Sequence, residues 1–476
     1  MISDFLLQLS ESKEDRKKRN NKVLEDSQSR LETATEEQKN IHNSFIKSVF
    51  SKLDGEQLET DMFSIQGFAG SGKTWLTAKI IETLIKAGIK ISTTTPTHKA
   101  ARVVKEMLLE NGINHESEDL LKISTIHHFL NLKLDYGFGE DGSADNVTTK
   151  PKLVPNKYNE CLDYVDVLIV DESSMIGNNL YEEIMKIIDD RAKIVLFIGD
   201  PYQLLPVEDE NNTIFQKEEI KHFILSKVVR QNEDSDIIKK SQELINILKT
   251  QQFPTSIYEL FTESSNGIEI VTNDTLFLGK YFNDENDKMT GAYTNNTVDQ
   301  YNNFIRYHTQ DKVLDYLVDD DELVLQSSYT NSKGDILINN GEVVKLAKVT
   351  YTKDQANGLN IWKCVTEDKL YFTVLDPSSY TEHKAMLDKL ILEAKQATGY
   401  NRSKAWKLFF RLKEKYARVK YNYSSTIHKL QGSTYGNMYF DIRGLDKFYR
   451  MDRDSVIRLC YVGITRAKDN VFILPY

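Results

Sequence analysis

Eight residues, Gly67-Phe68-Ala69-Gly70-Ser71-Gly72-Lys73-Thr74, fit the P-loop spacing G-x-x-x-x-G-K-[ST] and set the first chemical expectation. Glycines at Gly67, Gly70 and Gly72 let successive backbone N–H groups, with those of Ala69 and Ser71 among them, close around phosphate oxygens. Lys73 is expected to reach the β- and γ-phosphates, Thr74 to offer its hydroxyl to Mg²⁺, and the following helix N-terminus to add partial positive charge. The ligand these residues fit is a nucleoside triphosphate such as ATP.

A second group is acidic. Val167-Leu168-Ile169-Val170-Asp171-Glu172 is an apolar run that ends in two carboxylates. Asp171 is expected to share Mg²⁺ with Thr74, and Glu172 to orient or deprotonate an attacking water. Further on, Gly199-Asp200-Pro201-Tyr202-Gln203-Leu204-Leu205-Pro206-Val207 directs Gln203 toward the γ-phosphate on a loop stiffened by two prolines.

The elements that must hold these groups follow from periodicity. The run Met62 to Gln66 reads as a strand and Trp75 to Ala87 as a helix, while Val165 to Val170 and Ile194 to Ile198 read as strands buried on both faces. Alternating strands and helices predict an α/β fold with a doubly wound parallel sheet and ligands at the carboxyl ends of its strands. A chain of 476 residues has room for several domains.

Composition narrows the class. Hydrophobic residues make up 40% and charged residues 28% of the chain, as in ordinary globular proteins. The three cysteines, Cys161, Cys364 and Cys460, lack metal-ligand spacing and suit a reducing cytoplasm. No apolar run reaches membrane-spanning length, and the N-terminus turns charged too early for a signal peptide. The net charge of -10 leaves room for a local basic cleft.

Composition also divides the chain. Residues 1–34 are charged and poor in apolar residues, which predicts a mobile or loosely helical extension. A first α/β domain is expected over 35–222, interrupted near 129–160 by a hairpin whose strands are Leu130 to Tyr136 and Val147 to Val154. A second is expected over 223–476, with an insertion near 322–420. The insertion predicts antiparallel strands over 322–375, with a hairpin turn at Asn339-Asn340-Gly341, and two helices over 381–416. The first of these helices carries Met386, Leu390, Ile391, Ala394 and Ala397 on one face and stops at Gly399; the second starts at Ser403.

GFAGSGKT, VDESS and GDPYQLLPV, in that order, resemble motifs I, II and III of superfamily 1 helicases, and the resemblance extends over nearly the whole chain after residue 35. It implies two RecA-like domains and ATP-driven movement on DNA. Gln38 resembles the glutamine that pairs with adenine, although Thr35-x-x-Gln38 equally fits a capping box. Thr95-Pro96-Thr97-His98-Lys99-Ala100-Ala101 resembles motif Ia, which holds single-stranded DNA. Ser-Thr-Ile-His occurs at 124–127 and again at 425–428, in segments resembling motifs Ib and V. That makes Thr125, His127, Thr426 and His428 expected DNA contacts, and Gly432 an expected nucleotide contact.

Arg230 and Arg466 resemble the arginines that reach the γ-phosphate from the second domain. Val229 stands where many relatives carry an aromatic residue that stacks on adenine.

Within superfamily 1 the chain resembles the 5′→3′ branch, especially the Dda-like helicases of T4-type bacteriophages and, more distantly, the RecD and Pif1 groups. The resemblance implies a strand-separating pin at residues 130–154, with Tyr136 or Phe138 as wedge, an SH3-like β-region at 322–375, and a helical tower at 381–416. Expected partners are single-stranded DNA and duplex junctions, with a single-strand-binding protein or replication proteins, no membrane, and a monomeric chain. Alternatives left open are an RNA helicase of the same superfamily and an ATP-driven remodeller that displaces proteins with little unwinding.

Overall fold

Val167, Leu168, Ile169 and Val170 are all fully buried, as are Val195, Leu196 and Phe197, which is the burial expected of strands covered on both faces. The computed structural model describes residues 13–138, 147, 152–155, 164–188, 190–206, 214–227, 235–310, 316–330 and 336–475. Two compact units are present. The first comprises Met1–Asn131, Lys157–Lys288 and Leu430–Tyr476, and the second Leu132–Asn156 and Met289–Lys429. Among the described residues no helix is long and apolar enough to cross a membrane.

The first unit holds a six-stranded parallel sheet in the order Leu121–Thr125, Ile91–Thr95, Val165–Val170, Ala192–Gly199, Met62–Gly67, Lys221–Leu225. The strand that leads into the P-loop therefore lies beside the strand ending at Gly199, which in turn lies beside the strand ending at the acidic pair. The three loops expected to hold a triphosphate thus leave the same edge of one sheet. Helices Glu36–Leu53 and Lys73–Lys86 bury Phe45, Ile46, Val49, Leu76 and Ile80 against it. The unit also contains parallel pairs between Tyr435–Asp441 and Ala467–Leu474 and between Ala467–Leu474 and Ile268–Ile270.

The segment expected to be loose differs. Lys13–Arg30 is a single helix whose Val23 and Leu24 pack on the main core, with Asn20, Ser27 and Leu31 buried. Arg16 donates to the Leu53 carbonyl, and Lys17–Glu56 and Arg30–Glu82 ion pairs lie at 3.1 and 3.4 Å. The buried stripe at 20, 23, 24, 27 and 31 has helical spacing, but small polar residues occupy part of it, so the apolar pattern is muted.

The second unit holds the expected insertions. Its antiparallel sheet runs Tyr371–Leu375, Asn360–Thr366, Val343–Lys353, Glu322–Leu325, Val419–Tyr421. The turn at Asn339-Asn340-Gly341 forms, with Gly341 at φ +77°. Its flanking strands take other partners: Ile336–Ile338 pairs with Tyr329–Thr330, and Val343–Lys353 pairs with 322–325 and 360–366. Helices Tyr380–Gln396 and Gly399–Lys413 follow, the second beginning at Gly399 rather than Ser403. Leu132–Asp135 and Lys152–Pro155 form the predicted hairpin. Its connector at 139–146 lies outside the described residues.

Candidate functional site: a cavity at the glycine-rich loop

Gly70 and Gly72 have φ of +82° and +80°, values that a side chain would oppose, and they shape the turn between strand Met62–Gly67 and helix Lys73–Lys86. Lys73 folds over this loop and donates to the carbonyls of Gly67 at 2.5 Å and Phe68 at 3.0 Å. The loop borders a cavity of about 670 Å³. Its lining includes Ala69 to Thr74, Asp171, Glu172, Gln203, Gly432 and Arg466. Phosphate-facing backbone, two acids, an amide and a guanidinium from four distant parts of the sequence share one space.

The carboxylates lie at the end of their strand. The Glu172 N–H donates to Asp171 Oδ1 at 2.8 Å. Burial raises the Asp171 carboxyl above its usual range, and burial together with the Asp171 charge pushes Glu172 up to about 7. Lys73 and Arg466 oppose the rise at Glu172 without cancelling it. Glu172 also adopts a left-handed backbone, φ 51°, uncommon for a residue with a side chain and found most often where function holds it. A desolvated acid pair beside a phosphate-binding loop and the Thr74 hydroxyl is the donor set a hard divalent cation takes.

Gly432 closes one side of the cavity. A Cβ there would stand 3.6 Å from Glu172 Oε1, and its φ is +75°. Next to it, Gln431 donates from Nε2 to Gln203 Oε1 at 3.0 Å and to Ser174 Oγ at 3.2 Å. Arg466 is buried, held through Nε by the Val462 carbonyl, through Nη1 by the Ser433 carbonyl and through Nη2 by Thr465 Oγ1. Arg230 lies outside the described residues, as do Val229 and Val207.

The capping-box reading of Gln38 is met. Its N–H donates to Thr35 Oγ1 at 3.2 Å and its Oε1 accepts from the Thr35 N–H at 3.0 Å, a complete capping box. Its Nε2 is buried and has no hydrogen-bond partner, so the amide keeps a donor for a ring nitrogen.

The expected DNA-contacting residues fall in two places. In the first unit, Pro96 follows strand Ile91–Thr95, and Thr97 caps helix His98–Glu110 by accepting the Ala100 N–H. Lys99 donates to the Tyr435 hydroxyl at 3.1 Å. The repeated Ser-Thr-Ile-His strings adopt the same local form, one in each unit. Thr125 and Thr426 each end a strand, Ile126 and Ile427 each begin a short helix and are fully buried, and His127 and His428 each come second in that helix. Buried isoleucine and strand-ending threonine explain the shared sequence as shared geometry.

In the hairpin expected to act as a pin, Tyr136 and Phe138 do not stand alone. Their ring centroids lie 4.3 and 6.0 Å from that of Phe410 in the second tower helix. Phe138 and Val147 pack on a cluster of Ala394, Ala405, Trp406 and Phe409. Both candidate wedge rings are thus committed to apolar packing at the connector end of the hairpin.

Sequence reasoning passed over Asp200, Arg458 and the Tyr461 hydroxyl. Asp200 lay inside the GDPYQLLPV string, and Arg458 and Tyr461 share a helix face at i, i+3 spacing shortly before Arg466. That spacing was the available signal.

A family model described as an AAA domain matches residues 56–252. The ATP-dependent DNA helicase Dda of Enterobacteria phage T4 is 26% identical over 470 residues, covering 92% of this chain and 98% of that protein. The RecD subunit of the RecBCD enzyme from Buchnera aphidicola (Acyrthosiphon pisum) is 36% identical over 153 residues, covering 30% of this chain and 23% of that subunit. Among solved structures, the Bacteroides Pif1 helicase in complex with ADP-AlF3 and single-stranded DNA aligns with TM-score 0.47 and 14% identity, covering 92% of each chain.

Proposed function

We infer that this chain belongs to the Dda-like, 5′→3′ branch of superfamily 1 DNA helicases, and that it couples ATP hydrolysis to movement along single-stranded DNA and to duplex unwinding. The observation that carries this reading is the single cavity in which the P-loop, Asp171, Glu172, Gln203, Gly432 and Arg466 meet. The nearly full-length similarity to the T4 Dda helicase agrees with it.

The P-loop amides and Lys73 bind the phosphate chain, and Gln38 reads the adenine edge through its spare N–H. Thr74 and Asp171 would hold Mg²⁺, which neutralises phosphate charge when bound. Glu172, with its raised carboxyl, orients the attacking water and accepts its proton. Gln203 and Arg466 stabilise charge on the γ-phosphoryl oxygens, and Arg230 is assigned the same task.

Thr97, Lys99, Thr125 and His127 grip the DNA backbone in one place and Thr426 and His428 in another, through hydroxyls, ring nitrogens and exposed N–H groups. Such contacts read no sequence, which a translocating motor requires. The hairpin at 130–154 acts as the pin that parts the duplex. Packing on Phe410 supports a role for Tyr136 and Phe138 in bracing it. The setting we assign is the cytoplasm of a bacterial host cell, with the chain acting as a monomer alongside replication proteins.

The test compares unwinding of matched duplexes carrying a 5′ or a 3′ single-stranded tail, with ATP and Mg²⁺. Unwinding confined to the 5′ tail is expected. Preference for the 3′ tail would remove the polarity, and stimulation of ATPase by RNA alone would remove the DNA assignment.

A further inference from the structure

Helix Arg453–Thr465 leads directly into Arg466 and sends two side chains back to the nucleotide loops. Tyr461 is fully buried. Its hydroxyl accepts the Ala69 N–H of the P-loop at 2.9 Å and donates to Asp200 Oδ2 at 2.6 Å. The other Asp200 oxygen accepts the Tyr202 N–H at 3.0 Å, so one carboxylate joins the phenol to the loop that bears Gln203. Three residues earlier, Arg458 donates from Nη1 to the carbonyls of Pro201 at 2.7 Å and Gln203 at 3.0 Å. Asp454 braces the same guanidinium through Nε at 2.6 Å.

We propose that Tyr461 and Arg458 are positioning residues for ATP hydrolysis, docking the arginine-bearing helix onto the P-loop and the Gln203 loop so that Arg466 and Gln203 take one fixed relation to the γ-phosphate. The proposal rests on the reading of Arg466 as a γ-phosphate ligand. Arg466 is held by Val462, Thr465 and Ser433, so its place in the cavity follows the place of its helix. A hydroxyl that accepts from one loop and donates to another ties both to a single atom, and burial strengthens each bond by excluding competing water. Geometry matters at this level because a displacement of about 1 Å in a catalytic group can cost roughly 10²-fold in rate.

The experiment is steady-state ATP hydrolysis on saturating single-stranded DNA by the wild type, Tyr461→Phe, Arg466→Ala and the double variant. Phenylalanine keeps the ring and deletes only the bridging oxygen. Tyr461→Phe is expected to lower kcat roughly 10- to 100-fold with the KM for ATP within about 2-fold. The same change made in the Arg466→Ala background should cost little more, because both act through one placement. Unchanged kcat for Arg466→Ala would overturn the arginine reading itself. A crippled Arg466→Ala beside a fully active Tyr461→Phe, or effects that simply multiply in the double variant, would overturn the positioning role alone. Thermal melting reports on folding. Should Tyr461→Phe fail to fold, Arg458→Gln carries the same comparison, with the same fall in kcat expected and wild-type turnover overturning the proposal.

Discussion

Around the P-loop the side chains that matter are polar and almost fully partnered. Tyr461 bridges Ala69 and Asp200, Arg458 spans two carbonyls, and Gln431 meets Gln203. At the connector end of the Leu132–Pro155 hairpin they are apolar, with Tyr136, Phe138 and Val147 set among Phe410, Trp406, Phe409 and Ala394. Hydrogen bonds are directional and tolerate few residue types, so the first region is written in short, specific strings. Apolar packing accepts many side chains of similar volume, so the second leaves almost no signature.

Substitutions can sharpen this contrast or break it. The largest effect is expected from Lys73→Ala, which should abolish ATP hydrolysis while single-stranded DNA binding stays measurable by fluorescence anisotropy. Turnover that persisted would remove the P-loop assignment. Arg466→Ala follows, with kcat reduced on the order of 10³-fold or more and ATP affinity changed only a few-fold, as read by single-turnover and equilibrium nucleotide binding. Glu172→Gln should slow hydrolysis by roughly 10²–10⁴-fold and leave ATP bound. Rapid turnover in that variant would deny Glu172 its role.

Phe410→Ala probes the other region. It should cost about 1–3 kcal/mol in stability and weaken unwinding several-fold, with ATPase on single-stranded DNA near wild type. Equal losses in unwinding and ATPase would erase the distinction between the two regions.

The smallest effect concerns pH. His42 is fully buried against Thr83, and burial lowers its pKa below 6.5, so the unfolded chain takes up the proton first. The stability this neutral histidine contributes is present above about pH 6.5 and declines by up to about 1.4 kcal/mol per pH unit below it. Urea melts at pH 7, 6 and 5 measure that slope, and His42→Gln should flatten it.

Legibility in the sequence followed the same division. The α/β class, the P-loop, the acid pair and Gln203 were readable because each needs fixed residue types beside a strand end, as at Gly67 and Val170. The Lys13–Arg30 helix was not, because Asn20 and Ser27 interrupt its buried stripe. Gln38 stayed open between a cap and an adenine contact, and the structure explains why: its oxygen serves the cap while its nitrogen is unpartnered. Tyr136 and Phe138 were visible as aromatics beside a glycine-rich connector. Their partner, Phe410, lies more than 250 residues away, and no local pattern points to it.

The sequence by itself pointed to triphosphate binding and hydrolysis, because phosphate and metal ligation demand particular atoms at particular spacings along a few residues. Only the tertiary structure decided which distant groups complete the site. Tyr461 reaches Ala69 and Arg466 shares a cavity with Lys73 because the fold sets helix Arg453–Thr465 against loops that come hundreds of residues earlier. Proximity of that kind is a property of chain topology, which no single segment encodes.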